Sequence, residues 1–161
     1  MLLALIVTIC LAGDVTGGVT TLRAGELSCE ILDQGLYVPE SKRVRYADAG
    51  SVTGERFEID QVRFVRQTKQ IEAMLGQRFG MRYRLVGVTK PVMVTWRVVY
   101  PSTVRGAKRW EHRFAASPAG GELVQHLLYQ FDVASEMVKG RWDFQVLVDG
   151  KQACSIPFEV K

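Results

Sequence analysis

The fold class follows from the closing stretch of the chain, Gly140-Arg-Trp-Asp-Phe-Gln-Val-Leu-Val-Asp-Gly-Lys-Gln-Ala-Cys-Ser-Ile-Pro-Phe-Glu-Val160. Apolar side chains alternate with polar ones from Trp142 to Val148, and the alternation resumes at Cys154, after an Asp-Gly pair. Period-two alternation on both sides of Asp-Gly is the strongest local signal for a β-hairpin. The chain is therefore predicted to end in a hairpin with one buried apolar face.

The register of this hairpin is constrained by its apolar residues. A two-residue loop at Asp149-Gly150 would pair even-numbered positions with odd-numbered ones and turn the apolar residues of one arm outward. A slip of one residue moves every side chain to the other face, so burial excludes that register. We therefore predict a three-residue loop from Val148 to Gly150, with Gly150 in the left-handed conformation. The expected pairs are Phe144 with Cys154 and Trp142 with Ile156.

Similar alternating segments recur along the chain and are separated by turn residues. Strands are predicted at 26–38, 57–68, 79–85, 92–100, 109–115 and 123–131. Gly35 interrupts the first of them and predicts a bulge or bend. Only the 132–136 segment is expected to form a helical turn. Short, regularly spaced strands favour an all-β fold, an antiparallel β-sandwich of about seven to nine strands with little helix.

The beginning of the chain predicts export. Residues 1–12 form an apolar run that is shorter than the roughly 20 residues of a membrane span, and small residues follow it at 16–18. This pattern is typical of a signal peptide at 1–18, followed by a single domain at 19–161. No Lys or Arg precedes the run, and a buried first strand is the alternative. The expected location is periplasmic or secreted, with no transmembrane span.

The cysteines agree with an oxidising compartment. Removal of Cys10 with the signal leaves Cys29 and Cys154, an even number. Both alternate with apolar residues and are expected to face inward. We predict a disulfide between them that joins the first strand to the last, and the alternative is a pair of buried free thiols.

No catalytic, cofactor-binding or metal-binding residues are expected from the sequence. The two histidines, His112 and His126, lack an accompanying carboxylate motif. Asp132 and Glu136 are close enough to share one turn and could form a hydrolase site, but aspartate also caps turns at the corner of a sandwich. A phosphate-binding glycine loop is not present.

Three arginines on predicted strands suggest a possible anion-binding face: Arg82, Arg84 and Arg97. If the two strands formed a hairpin, Arg82 would lie opposite Arg97, and an anion could relieve their repulsion. The alternatives are ion pairs with Glu111 or Asp143, or a location of the two strands in different sheets. The net charge of +4 is mild, and no nucleic acid partner is expected.

Several short motifs resemble a bacterial family of small exported proteins classed as a domain of unknown function. They are Gly35-Leu36-Tyr37, Arg78-Phe79-Gly80, Tyr100-Pro101, Tyr129-x-Phe131-Asp132 and Gly140-x-Trp142-x-Phe144-x-Val146. The resemblance implies an immunoglobulin-like sandwich and assigns no catalytic residue.

Together, these features predict a non-enzymatic binding or structural module of the bacterial envelope. Its partner is expected to be a protein or another envelope component, contacted through the loops at 39–55 and 101–109.

Overall fold

The computed structural model of the chain describes residues 27–41, 44–48, 54–59, 61–104, 106–117 and 119–161. The predicted signal at 1–18 lies outside the described residues. The strands are β1 Ser28–Pro39, β2 Val44–Ala47, β3 Glu55–Glu58, β4 Val62–Gln67, β5 Gln70–Ile71, β6 Arg78–Val86, β7 Val92–Val104, β8 Ala107–Ala116, β9 Glu122–Gln130, β10 Gly140–Val148 and β11 Lys151–Val160. In this part of the chain the helical segments are two short 3₁₀ turns, Ala119–Gly121 and Ala134–Glu136. Neither turn is long or apolar enough to cross a membrane.

Two sheets pack face to face, which confirms the predicted sandwich. The four-stranded sheet has the order β4-β1-β6-β9, and the five-stranded sheet has the order β5-β11-β10-β7-β8. The chain switches sheets between β4 and β5, and β5 pairs with β11 in parallel. A separate pair, β2 and β3, lies in the excursion between β1 and β4.

Phe79 on β6 occupies the centre of the core between the sheets and is fully buried. The rings around it have centroids 5.2 to 6.2 Å away and belong to Tyr129, Phe131, Trp142, Phe144 and Phe158. Aromatic pairs at these separations stabilise a fold beyond the area they bury. Most of the motifs that carry the family resemblance therefore meet in one aromatic cluster, which we call the Phe79 cluster.

Two glycines of those motifs permit the close approach of neighbouring strands. Gly35 pairs with Gly80 across β1 and β6. A Cβ at Gly80 would lie 2.4 Å from the carbonyl oxygen of Leu127, and Gly35 has a φ of +117°. Larger residues at these positions would displace backbone, so both glycines are required by the packing. The predicted irregularity of the first strand is confirmed, since its register shifts between Ile31 and Asp33.

The loop of the closing hairpin differs from the prediction. Val148 pairs with Lys151, so Asp149-Gly150 is a two-residue turn, with positive φ values of 48° and 80°. Positive φ at both positions is the type I′ geometry that suits the twist of a hairpin.

A bulge in β11 then restores the buried face of the hairpin. Between Cys154 and Gln152 the register shifts, which leaves Ala153 as the extra residue. The observed pairs are Phe144 with Ile156 and Trp142 with Phe158. The predicted three-residue loop and its pairs are therefore wrong, although the burial constraint behind them holds.

Both predicted recognition loops contain regular structure. β7 continues past Pro101 because its pairing with β8 is irregular between Val99 and Val104, where a proline breaks no ladder bond. The 101–109 segment is thus mostly a strand hairpin that turns near Gly106. The 39–55 segment contains β2, which pairs with β3.

The predicted disulfide is confirmed. Cys29 on β1 bonds to Cys154 on β11, with their Cα atoms 5.6 Å apart and a sequence separation of 125. Since β1 and β11 belong to different sheets, the bond links the two layers of the sandwich.

Loss of the disulfide is expected to lower the free energy of unfolding by about 4 to 5 kcal/mol, because a long closed loop restricts the unfolded chain. The measurement is urea unfolding of the Cys29→Ala/Cys154→Ala variant against the oxidised protein. Two titratable thiols on the non-reduced, denatured protein would contradict the assignment.

Asp149 provides a second test of the fold. Its carboxylate accepts a hydrogen bond from the Met93 backbone N–H at 2.9 Å, and its own N–H donates to the Met93 carbonyl. Asp149→Ala is expected to lower the unfolding free energy by about 1 to 3 kcal/mol, through the lost acceptor and left-handed strain. Asp149→Asn keeps an acceptor and tolerates that conformation, so its thermal unfolding should stay near wild type. Equal losses in the two variants would contradict this account.

Candidate functional site

The three arginines predicted to share a face lie on opposite sides of the sandwich. Arg82 and Arg84 are on β6 of the four-stranded sheet, whereas Arg97 is on β7 of the five-stranded sheet. β6 and β7 therefore do not form the hairpin considered from the sequence. They lie in different sheets, which was the alternative, because the connection between them crosses from one sheet to the other. The cross-strand partners of Arg82 are Asp33 on β1 and His126 on β9.

On the four-stranded sheet, each of these arginines has its own carboxylate. The Nη2 atom of Arg82 lies 2.5 Å from Oδ2 of Asp33. Arg84 donates to Glu30 at 2.5 Å and also lies 3.5 Å from Glu122. The positive charge of Arg82 and Arg84 is thus neutralised within the protein.

A shallow depression of about 270 Å³ lies beside Arg82. It is lined by Asp33, Glu40, Val62, Arg63, Phe64 and Arg82. His126 neighbours Arg82, and burial followed by the charge of Arg82 lowers the pKa of its imidazole. His112 lies on β8 of the other sheet. Among the described residues, no group of three or more His, Cys, Asp or Glu side chains is placed to hold a metal ion.

The five-stranded sheet carries a different arrangement, in which three arginines surround one carboxylate. Glu111 Oε1 lies 2.7 Å from Arg97 Nε and 3.1 Å from Arg109 Nε. Its Oε2 lies 3.4 Å from Arg113 Nη2. We call these four residues the arginine cluster. The ion pair between Arg97 and Glu111 is the intramolecular alternative considered from the sequence.

Electrostatics inside the arginine cluster favour the ionised carboxylate. Burial raises the pKa of Glu111, but the hydrogen bond and charge of Arg97, aided by Arg109 and Arg113, outweigh burial and hold this pKa below its usual range. Sequence reasoning missed Arg109 and Arg113. The signal that could have found them is the alternation of 109, 111 and 113 with the aromatic residues Trp110, His112 and Phe114.

At the candidate hydrolase corner, the carboxylates of Asp132 and Glu136 both accept local hydrogen bonds. Glu136 is 4% exposed, and its Oε2 accepts the backbone N–H groups of Asp132 and Val133 at 2.7 and 3.2 Å. Its Oε1 accepts the hydroxyl of Tyr129 at 3.3 Å. Asp132 in turn accepts the side-chain amide of Gln130. Both carboxylates therefore stabilise the turn between β9 and β10.

A hydrogen bond joins the β2–β3 hairpin to β8. Trp110 Nε1 donates to Asp48 Oδ2 at 3.3 Å. The base of the excursion is closed where the Gln61 backbone N–H donates to Ser41 Oγ at 3.1 Å. On β2, Val44 is 46% exposed and Tyr46 is 41% exposed. The excursion therefore presents apolar surface while tied to the sandwich at both points.

The pH dependence of stability tests the role of Glu136. Burial raises the pKa of Glu136, while the backbone N–H groups of Asp132 and Val133 act against this increase. A raised folded-state pKa contributes stability below the unfolded pKa, and this contribution is lost as the pH rises through the folded pKa.

We therefore expect the stability of wild type, relative to Glu136→Gln, to fall as the pH is raised from about 4 to about 7. Chemical unfolding of both proteins at several pH values measures this difference. If wild type instead became more stable relative to Glu136→Gln as the pH rises, the hydrogen bonds would outweigh burial in setting the pKa of Glu136.

Comparisons with known structures support the fold. The crystal structure of an immunoglobulin-like protein from Pseudomonas aeruginosa aligns with a TM-score of 0.55 at 21% identity, covering 86% of this chain and all of that one. This likeness concerns the fold alone. The alkylpurine DNA glycosylase AlkC of Pseudomonas fluorescens, bound to DNA with an abasic site analogue, aligns over 58% of this chain and 28% of its own length. Its TM-score of 0.45 and identity of 19% are too low to inform function.

A comparison with curated protein sequences finds no significant match. The model of a family described as a domain of unknown function, DUF3859, matches residues 27–160. This match spans most of the chain and includes all the motifs of the predicted resemblance. The chain therefore belongs to the DUF3859 family of domains of unknown function.

Proposed function

We propose that this chain is a non-enzymatic binding module of the bacterial envelope, located in the periplasm or secreted. The Cys29–Cys154 disulfide supports this location, since such bonds persist mainly in oxidising compartments. The apolar sequence at 1–12 supports export independently.

The β2–β3 hairpin carries the proposal. It is an insertion between two strands of the sandwich, and it exposes Val44 and Tyr46. Exposed aromatic and aliphatic side chains on a segment that a rigid scaffold supports are typical contacts in protein recognition. The bond from Trp110 to Asp48 fixes part of the hairpin before binding, which reduces the entropy lost on association.

Of the two loops predicted for recognition, the 39–55 segment remains a candidate for contacting a partner. The 101–109 segment is largely paired within β7 and β8. The hydrolase alternative loses its support because Glu136 and Asp132 hold a turn. Arg82 and Arg84 are already paired with carboxylates, so the anion-binding alternative would need other arginines to contact the anion.

Site-specific cross-linking in living cells tests this function. A photo-reactive residue at Tyr46 is expected to yield a covalent adduct with one envelope component, identified by mass spectrometry. The matched control places the same residue at Leu75, which is 60% exposed in the turn between β5 and β6. Substitution of Val44 by Ser should then reduce the adduct formed at Tyr46, because it removes a neighbouring apolar contact.

Two results would overturn the proposal. One is the absence of any adduct from Tyr46 while the chain is exported and folded. The other is the same adducts from Tyr46 and Leu75, which would indicate nonspecific collision.

A further inference from the structure

We propose that the arginine cluster on the outer face of the five-stranded sheet binds phosphate groups, independently of the β2–β3 hairpin. The ligand class is a phosphate ester of the envelope, and Arg109 and Arg113 are the residues that contact it. Arg97 and Glu111 act as positioning residues beneath them.

The charge balance of the cluster is the first argument. Three guanidinium groups share the single carboxylate of Glu111, which leaves an excess of two positive charges. The neighbouring Arg141 on β10 has its own partner, because its Nε lies 2.9 Å from Asp143 Oδ1. On the opposite sheet, Arg84 alone is paired with two carboxylates. Arg141 and Arg84 are thus each matched to at least one carboxylate of their own, whereas the three arginines of the cluster share one.

The geometry of the donors is the second argument. Arg109 and Arg113 lie four positions apart on one face of β8, so their Cα atoms are separated by roughly 13 to 14 Å. Both side chains nevertheless reach the carboxylate of Glu111, which lies between them. Their guanidinium groups thus converge above one point of the sheet and are held apart from each other by a fixed negative charge.

Exposure separates the binding residues from the positioning residues. The side chains of Arg109 and Arg113 are 61% and 68% exposed, against 27% for Arg97 and 19% for Glu111. Arg97 donates Nε to Glu111 and also Nη1 to Gln145 at 3.4 Å, so two of its donors are used inside the protein. A guanidinium has five N–H donors, and Arg109 and Arg113 each use few of them on Glu111. More than half of each of these side chains is exposed, which leaves them accessible to a ligand.

Phosphate matches this arrangement in both charge and shape. A phosphomonoester carries about −1.5 to −2 charges at neutral pH, which balances the excess of the cluster. Arginine binds phosphate through paired N–H donors and is favoured over lysine where such planar recognition occurs. The site lies on an open sheet face, where water screens each contact. We therefore expect weak binding of a single phosphate and stronger binding of phosphate headgroups presented together on a membrane surface.

The test uses the protein in the form that the cell exports and measures its binding to vesicles. The probe is phosphatidylcholine vesicles that contain phosphatidic acid, and pure phosphatidylcholine vesicles give the background. The double variant Arg109→Gln/Arg113→Gln is expected to bind about tenfold or more weakly, because each arginine near an anionic surface contributes to the attraction. Circular dichroism confirms that both proteins are folded.

The matched control removes the same charge from the opposite sheet. Arg63→Gln/Arg66→Gln changes two exposed arginines of β4 and is expected to alter vesicle binding less than about twofold, since these residues face away from the arginine cluster. Equal losses in the two double variants would overturn the proposal, because they would indicate attraction by net charge alone. Failure of wild type to bind above background would also overturn it.

Two further arms identify the ligand chemistry. Vesicles that carry a fatty-acid carboxylate at the same surface charge are expected to bind more weakly, and equal binding would overturn the assignment to phosphate. Millimolar inorganic phosphate is expected to displace the protein only slightly, which supports a lipid source. Full displacement would support the same site with free phosphate as its ligand. Cross-linking at Tyr46 does not depend on Arg109 or Arg113, so the two proposals can fail separately.

Discussion

The packing of aromatic rings around Phe79 is the constraint on which the rest of the sandwich depends. This ring, on the central strand β6, contacts residues of β9, β10 and β11 and so joins the two sheets at one point. Next to Phe79, Gly80 lets the backbone of β9 approach β6, since a Cβ there would lie 2.4 Å from the carbonyl oxygen of Leu127. Glu136 and the bond from Trp142 Nε1 to the Val138 carbonyl fix the turn that delivers β10 to the cluster. The family motifs therefore contribute mainly to the scaffold.

Sequence patterns predicted the parts of the fold that repeat with a period of two. The strands, the inward position of Cys29 and Cys154 and the antiparallel sandwich all follow from side chains that alternate between a buried and an exposed face. The exact pairs of the closing hairpin did not follow, because a bulge at Ala153 shifts the register without any distinctive residue. The end predicted at residue 100 for the strand that begins at Val92 was also wrong, since an irregular stretch of pairing can contain Pro101 within β7. The β2–β3 hairpin was not predicted, because β2 lies in a largely polar, glycine-containing stretch typical of a loop, and only the end of β3 falls in the strand predicted at 57–68.

The candidate site was harder to predict because it depends on which strands are neighbours. Arg82 and Arg97 are on consecutive strands, yet they lie on opposite outer faces since the chain crosses between sheets after β6. Arg109, Glu111 and Arg113 alternate with aromatic residues in the sequence, which predicts that they share one face of a strand. The cluster they form with Arg97 could be recognised only once the pairing of β7 with β8 was known. The two faces then differ in kind. On one, Arg82 and Arg84 are matched to carboxylates, and on the other, Arg97, Arg109 and Arg113 share the single carboxylate of Glu111.

The disulfide also changes how this domain would respond to mechanical force. Cys29 lies near the start of the first strand and Cys154 lies within the last, so the bond encloses nearly all of the sandwich in one covalent ring. Tension applied at the two ends of the domain passes through the sulfur atoms and largely bypasses the hydrogen-bonded strands between them. The enclosed strands cannot be drawn out while the bond is intact. Between Cys29 and Cys154 the domain would therefore act under tension as a short, nearly inextensible link.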